Sequence, residues 1–357
     1  MKILTIVGAR PQFVKAAALS RELAKHDGIE EVIVHTGQHF DPNMSDVFFE
    51  EMEIPRPAYN MDIHSLGHGA MTGRMMEGIE RILLDEQPDV LLVYGDTNST
   101  IAGALAARKL HIPVCHVEAG LRSFDMNMPE EVNRILTDRI SDVLYCPTDV
   151  AIENLIGEGY DHFDCEVVKV GDVMQDAALY YAEHSSEKSS LEIAGDFVLC
   201  TLHRAENTDD VERLSAIIKA LEEIHGRSKV VLPLHPRTKK KLEEYGMHPK
   251  LEVINPVGYF DMIELLKRCS LVMTDSGGLQ KEAYFFSKHC IILRDQTEWV
   301  ELVKNGFNEV VGADYDQIIR AYESLSERLS DFSQELYGGG KACKNIATHM
   351  LKKYGTV

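Results

Sequence analysis

The sequence lacks the signatures of several common cofactor and metal sites. No G-x-G-x-x-G follows the first predicted strand and no G-x-x-x-x-G-K-[ST] occurs, so a dinucleotide fingerprint and a P-loop are both absent. The seven cysteines are scattered without a C-x-x-C pair, and no Cys/His cluster has metal-ligand spacing. We therefore expect reduced core thiols, as in a cytoplasmic protein, with no metal and no bound cofactor.

Basic residues are also scarce. The 37 Lys and Arg stand against 57 Asp and Glu, which gives a formal net charge of −20 and argues against a nucleic-acid or anionic membrane surface. The chain has no long apolar run, and residue 1 leads directly into a predicted strand, so we expect neither a membrane span nor a signal peptide. Any phosphate ligand must therefore be held by local cations and helix ends.

Short apolar runs alternate with helix-period segments, which predicts βα units and parallel sheets. A chain of 357 residues fits two domains, and we place the boundary near the polar stretch His184–Ser190. Two parallel α/β domains are expected to bind ligands in a cleft at their strand C-terminal edges. The predicted strands are Ile3–Val7, Val32–Thr36, Val90–Tyr94, Val114–Val117, Val143–Cys146, Val198–Thr201, Val230–Pro233, Leu251–Ile254, Val272–Thr274 and Ile291–Leu293.

The segment Ser270–Ala283 is the most informative stretch. It reads as a buried strand, a turn of small residues, and a helix that opens at Gly277 and Gly278. Backbone N–H groups at such a helix start bind anions, and a diphosphate is the natural ligand. The same pattern also fits an ordinary tight βα turn.

Three carboxylates follow other predicted strands or open a helix. Asp96 either caps a helix that begins near Asn98 or serves chemistry. Glu118 alternates with His116 at the end of a central strand, where an unpaired carboxylate is costly. Glu130 lies in the first turn of a predicted helix, where acids also complement the helix dipole. Converging carboxylates would supply both an acid and a base.

Cationic residues follow the remaining strands. Arg10 and Lys15 follow the first strand, and His203-Arg204 and His235-Pro236-Arg237 follow two strands of the second half. Arg10 and Lys15 could bind a phosphate or a carboxylate, and Lys15 also fits a solvated helix face. The two histidines, each followed closely by an arginine, predict a cationic wall for a diphosphate. Glu298 suits a ribose cis-diol because a carboxylate accepts two hydroxyl hydrogen bonds.

The order of these blocks resembles the non-hydrolysing UDP-N-acetylglucosamine 2-epimerases over nearly the whole chain. The resemblance is carried by Gly8–Pro11, Gly37–His39, Gly95–Thr97, His116–Arg122, Pro129–Arg134, His203–Asn207, Asp275–Gly278 and Arg294–Glu298. It implies two Rossmann-like domains of the glycosyltransferase-B type: residues 1–180 with the acid and base groups, 181–340 binding UDP, and a helix over 341–357 that returns to the first domain.

The family reaction inverts C2 of the sugar by eliminating UDP to a 2-acetamidoglucal and adding it back. By resemblance, Asp96, Glu118 and Glu130 transfer protons, supported by Lys15, Arg134 and His203. Arg10, His203, Ser276, Gly277, Gly278 and Glu298 bind UDP. A candidate activator site comprises Gln38, His39, Arg74, Arg204 and His235. The resemblance implies a UDP-sugar substrate, a homodimer and no cofactor.

Two departures from the common pattern point to a second substrate. Gln12 stands where Glu is common, and Thr297–Glu301 replaces the usual Arg-Pro after the late-loop Glu. Both resemble the branch that acts on UDP-2,3-diacetamido-2,3-dideoxyglucuronic acid. A UDP-sugar site would also suit a glycosyltransferase-B type UDP-sugar transferase, a hydrolysing relative or a catalytically silent UDP-sugar sensor.

Overall fold

The computed structural model describes residues 1–38, 55–189, 191 and 193–355, and the side chains of Arg10 and Lys188 lie outside that description. The chain divides into two compact units: Met1–Ala177 with Glu335–Val357, and Ala178–Gln334. The second unit is thus an uninterrupted segment, whereas the first is completed by the C-terminal end of the chain.

Strands and helices alternate along the chain. The elements up to the unit boundary are β1 (Lys2–Val7), α1 (Arg10–Leu23), β2 (Glu30–His35), β3 (Tyr59–Asn60), α2 (His68–Glu86), β4 (Val90–Tyr94), α3 (Asn98–Lys109), β5 (Val114–Val117), α4 (Pro129–Ile140), β6 (Val143–Cys146), α5 (Asp149–Gly157), a 3-10 turn (Tyr160–His162), β7 (Glu166–Lys169) and α6 (Val173–Lys188). The boundary falls within α6.

The remaining elements continue this alternation. They are β8 (Val198–Thr201), α7 (Ala205–Thr208), α8 (Val211–His225), β9 (Val230–Pro233), α9 (Pro236–Glu244), β10 (Glu252–Ile254), α10 (Tyr259–Arg268), β11 (Leu271–Thr274), α11 (Gly277–Phe285), β12 (Cys290–Ile292), α12 (Val300–Lys304), β13 (Asn308–Val310), α13 (Tyr315–Ser326) and α14 (Ala342–Tyr354). Helix α14 contacts α1 in the first unit.

Among the residues that the structure describes, each unit contains one parallel β-sheet. The strand orders are β3-β2-β1-β4-β5-β6-β7 and β10-β9-β8-β11-β12-β13. Both faces of the second sheet are buried, since Val198 and Cys200 join one apolar cluster while Phe197 and Leu199 join another. The predicted fold class, two Rossmann-like parallel-sheet domains, is confirmed.

The strands that sequence reasoning missed are β3, β7 and β13. All three lie at sheet edges, and none has the continuous apolar run that identifies a buried parallel strand. All seven cysteines are unpaired. No helix in the described ranges is both long and apolar enough to cross a bilayer.

Candidate active site

Both sheets place the predicted site loops where the strand order reverses. In the first sheet β1 pairs with β4, so the loops at Gly8 and Gly95 are neighbours. In the second sheet β8 pairs with β11, so the loops at Leu202 and Asp275 are neighbours. Such switch points are the usual ligand sites of open parallel sheets.

The first unit has a pocket at its switch point. Its volume is about 220 Å³, and its lining includes Lys15, Gln38, Asp96, Glu130 and Asn133. These residues come from four separate chain segments, and two of them are predicted proton-transfer acids. The pocket therefore gathers carboxylates and a cation from distant parts of the sequence.

Asp96 does not cap the helix that follows it. Thr97 is the cap of α3, and its side chain accepts from the backbone N–H of Thr100. The Asp96 carboxylate instead accepts hydrogen bonds from Arg134, from Nε at 3.1 Å and from Nη2 of the same guanidinium. Asp96 is thus paired but still partly exposed to the pocket, with 30% of its side chain accessible.

Glu118 lies one residue beyond β5 and forms an ion pair with Lys15. Its φ of 70° lies in the left-handed region, which a non-glycine residue occupies at a cost of about 1–3 kcal/mol. The expected strand alternation with His116 therefore ends before Glu118. Gly95 lies against this pair, because a β-carbon there would come 3.2 Å from the Glu118 carboxylate.

The two adjacent acids at the start of α4 have different environments. Glu130 is exposed and lines the pocket. Glu131 is buried and accepts the backbone N–H groups of Ser123 and Phe124 at 2.9 and 2.8 Å. Burial by itself raises the pKa of Glu131, but these two N–H donors and Arg134 lower the pKa below its usual value. Glu131 is therefore a structural carboxylate.

Arg134 joins two of these acids. Its Nη1 donates to Glu131 at 2.7 Å while its other nitrogens hold Asp96. Burial alone lowers the pKa of Arg134, but the neighbouring carboxylates raise it overall, so the guanidinium stays charged. The supporting role of Arg134 in proton transfer stays a prediction.

In the second unit, the helix α11 begins at the predicted glycines. Ser276 is its cap residue but makes no side-chain capping hydrogen bond. A β-carbon on Gly277 would lie 3.7 Å from Nη2 of Arg204 and 3.8 Å from Nη1 of Arg294. Glycine N–H groups at a helix start, bordered by two guanidinium groups, form an anion-binding arrangement.

His203 is fixed by a buried acid. Its ring nitrogen Nδ1 lies 3.1 Å from Asp275, and its backbone N–H donates to the same carboxylate. Burial by itself raises the pKa of Asp275, but His203 and the backbone donors lower it overall. The ring centre of His235 lies 5.5 Å from that of His203. His235 is exposed overall, but partial desolvation of its ring and the proximity of His203 lower its pKa.

Glu298, the predicted ribose ligand, forms a two-pronged ion pair with Arg294. Both nitrogen–oxygen distances are 3.0 Å, and the pair sits beside Gly277. Burial alone raises the pKa of Glu298, whereas Arg294 lowers it overall. The neighbouring Trp299 donates its indole N–H to the Gly277 carbonyl at 2.8 Å, which ties the late loop to the helix start.

The remaining predicted residues have varied environments. Gln38 lines the first-unit pocket and accepts from the Ser99 hydroxyl at 2.7 Å, and Arg74 is exposed on α2. Arg10 is the first residue of α1, but its side chain lies outside the described part of the structure. His39 also lies outside the described residues. The activator assignment therefore stays a prediction.

Sequence reasoning did not assign site roles to Gln12, Asn133, Asp275 or Arg294. Gln12 and Asp275 lie at the two switch points, whereas Asn133 lies in α4 after β5 and Arg294 follows β12. The partners of Gln12, Asn133 and Asp275 include groups far along the chain, such as the Asp96 carbonyl for Asn133, and no local pattern reports these pairings. Arg294 instead pairs with Glu298, four residues further on.

Two parallel α/β units, one with clustered acids and one with an anion-binding helix start, define a glycosyltransferase-B type sugar-nucleotide enzyme. The family model for UDP-N-acetylglucosamine 2-epimerase matches residues 21–351, and this chain belongs to that family. The family prediction is thus confirmed.

Two relatives and two solved structures illustrate the similarity. The chain is 56% identical to the UDP-2,3-diacetamido-2,3-dideoxy-D-glucuronate 2-epimerase of Pseudomonas aeruginosa, over 99% of this chain and 100% of that protein. It is 43% identical to the UDP-N-acetylglucosamine 2-epimerase of Methanocaldococcus jannaschii, over 97% and 98%.

The M. jannaschii enzyme in complex with UDP-GlcNAc and UDP superposes with a TM-score of 0.87 at 42% identity, over 99% and 100% of the two chains. The Neisseria meningitidis UDP-GlcNAc 2-epimerase bound to UDP-GlcNAc gives a TM-score of 0.86 at 30% identity, again over 99% and 100%.

Proposed function

We propose that this protein catalyses the reversible inversion of C2 of a UDP-N-acetylhexosamine, interconverting UDP-GlcNAc and UDP-ManNAc. A base removes the C2 proton, the bond between C1 and the UDP oxygen breaks, and a C1–C2 double bond forms. UDP then adds back to C1 as a proton arrives on the opposite face of C2. The observation that carries this proposal is the pocket lined by Asp96 and Glu130 beside the Lys15–Glu118 pair.

The chemistry explains why acids and cations are both needed. The C2 proton has no adjacent carbonyl to make it acidic, so departure of the diphosphate must be strongly stabilised. We assign Asp96, Glu118 and Glu130 to proton transfer, with Lys15, Arg134 and His203 supporting them. Arg10, His203, Ser276, Gly277, Gly278 and Glu298 are assigned to UDP. Support comes from the ion pairs of Asp96 and Glu118 and from the open start of α11.

Proton NMR in D₂O tests the reaction directly. Incubation with UDP-N-acetylglucosamine should give a manno-configured UDP-sugar with deuterium at C2 and a stable equilibrium between the epimers. Free sugar plus UDP would instead mean a hydrolysing enzyme, and UDP release that depends on a second sugar would mean a transferase. Binding without C2 exchange on either candidate substrate would mean a sensor.

The second candidate substrate is UDP-2,3-diacetamido-2,3-dideoxyglucuronic acid. The 56% identity to the P. aeruginosa enzyme favours it, as do the departures at Gln12 and Thr297–Glu301. The same NMR experiment with both substrates under identical conditions ranks them by kcat/KM. A homodimer and a cytoplasmic location belong to this proposal, the first from the family resemblance and the second from the scattered thiols. Sedimentation and cell fractionation test them.

A further inference from the structure

Three consecutive carbonyl groups around Asp96 are each held by a side chain from a different element. The Tyr94 carbonyl accepts from Nε2 of Gln12 at 2.8 Å, and the Gly95 carbonyl accepts from Nε2 of His116 at 2.7 Å. The Asp96 carbonyl accepts from Nδ2 of Asn133 at 2.9 Å. The turn that carries Asp96 is therefore fixed from α1, β5 and α4 at once.

Gln12 uses both ends of its amide. Its oxygen accepts the backbone N–H groups of Gly8 and Ala9 at 2.8 and 3.0 Å, while its nitrogen donates towards Tyr94. The side chain is almost fully buried, at 2% exposure. Gln12 thus joins the turn after β1 to the turn after β4. A carboxylate of the same length could keep the first contacts but has no hydrogen for the carbonyl of Tyr94.

His116 holds the next carbonyl from a fully buried position. Its Nδ1 lies 2.7 Å from Asp138, whose carboxylate also binds Arg122 at 2.7 Å. Burial alone raises the pKa of Asp138, but His116 and Arg122 lower it, so this carboxylate is an acceptor. Both ring nitrogens of His116 therefore lie within hydrogen-bond distance of an oxygen, which fixes the orientation of the ring.

Asn133 completes the set from the first turns of α4. Its amide donates to the Asp96 carbonyl and lies 3.3 Å from Oδ1 of Asn98. The adjacent Arg134 binds the Asp96 carboxylate. The turn itself has a φ of 59° at Gly95, which is one of several conformations that glycine adopts readily. The donors therefore select one arrangement of a turn that has several available.

We propose that Gln12, His116 and Asn133 are positioning residues that fix the Asp96 turn for proton transfer. The proposal rests on the proposed function, since it assigns Asp96 to the reaction. Holding a reacting group within a fraction of an ångström is worth large factors in rate, and a 1 Å displacement costs about 100-fold. In this proposal the three side chains act on kcat through Asp96.

The variant Gln12→Leu tests the proposal through the difference between kcat and KM. It removes the donor from Nε2 to the Tyr94 carbonyl and leaves that oxygen to the Thr100 hydroxyl. We expect kcat to fall by about 10- to 100-fold because Asp96 is displaced, with KM changed by less than about twofold.

A second measurement does not depend on activity. Hydrogen exchange, followed by mass spectrometry, should show faster exchange of the peptide covering residues 94–98 in Gln12→Leu and in Asn133→Ala. The matched control is Gln175→Leu, because Gln175 lies in the same unit, accepts from the Gly340 N–H at 3.2 Å and is not among the residues that line the pocket. That control should leave kcat and exchange at 94–98 unchanged.

The outcomes separate the two proposals. A wild-type protein without C2 exchange on either substrate would overturn the proposed function, while the exchange measurement would still decide whether these side chains fix the turn. An active wild type with unchanged kcat and unchanged exchange in both variants would overturn the positioning roles. A loss confined to KM in Gln12→Leu would overturn them as well.

Discussion

At the scale of single residues, the most informative side chain is Glu118, which combines a largely buried ion pair with a left-handed backbone conformation. Glu118→Gln keeps the shape but removes proton transfer and the charge opposite Lys15. We expect kcat to fall by at least about 100-fold while the Kd for UDP stays within about threefold. Steady-state kinetics and calorimetry measure the two quantities. The exposed Glu77→Gln on α2 is the control, and near-full activity in Glu118→Gln would refute the assignment.

The neighbouring acids Glu130 and Glu131 give a paired prediction. Glu130→Gln should lower kcat with an unchanged thermal midpoint, because Glu130 is exposed in the pocket. Glu131→Gln should lower stability by about 2 kcal/mol, because its buried carboxylate accepts two backbone N–H groups and Arg134. Steady-state kinetics and thermal unfolding of both variants test this prediction. A loss of stability in Glu130→Gln and a loss of kcat alone in Glu131→Gln would mean that Glu131 is the reacting acid and Glu130 the structural one.

Sequence reasoning identified the right loops at this scale but could not assign individual contacts. Asp96 was expected either to cap a helix or to serve chemistry, and the structure gives the cap to Thr97 one residue later. Gln12 was noted only as a departure from a family pattern. Its role depends on Tyr94, which is 82 residues away, and such a pairing exists only after the sheet has formed.

At the scale of elements, the edge strand β7 anchors the C-terminal helix α14 through Glu166. This carboxylate lies 2.9 Å from His349 and 2.6 Å from Lys353, and these contacts lower its pKa from 4.5 to about 2. Because folding lowers the pKa, the ionised Glu166 carboxylate stabilises the folded protein above about pH 4.5. This contribution is lost as the pH falls towards 2. Since the side chain is 46% exposed, the contribution is at most about 1 kcal/mol.

Glu166→Gln should therefore lower the thermal midpoint slightly at pH 7, and the difference from the wild type should shrink as the pH falls below 4.5. Thermal unfolding across this range is the measurement. Adding Lys353→Met to Glu166→Gln should lower the thermal midpoint little further, because the carboxylate that Lys353 contacts has already been replaced. A difference that persists unchanged at the lowest pH would show that the ion pairs are not its source.

Sequence patterns predicted the central strands but not the edges. β4 and β11 are buried apolar runs between helices, and such runs have few other interpretations. β7 reads Glu-Val-Val-Lys with partly exposed residues, and β3 spans only two residues. An edge strand is defined by the neighbour to which it bonds, and therefore by tertiary structure more than by its own composition.

At the scale of the whole molecule, the net charge of −20 opposes the approach of an anionic UDP-sugar. We expect the cations at the α11 start to act at short range, because Arg294 is paired with Glu298 and the chain as a whole is negatively charged. Salt screens the distant repulsion more than the close contacts, so the association rate of UDP should rise with ionic strength up to about 0.15 M. The dissociation rate of UDP should change less with ionic strength.

Stopped-flow fluorescence of Trp299 measures this rate without a label. Trp299 is the single tryptophan and donates to the Gly277 carbonyl, so an anion at the helix start changes its surroundings. Sodium chloride titration with uridine as an uncharged control isolates the electrostatic part, since uridine association should be independent of salt. A steep fall in the UDP association rate with salt would mean that the local guanidinium groups dominate the field at long range. The arginines near Gly277 would then steer the nucleotide in as well as hold it, despite the charge of the molecule as a whole.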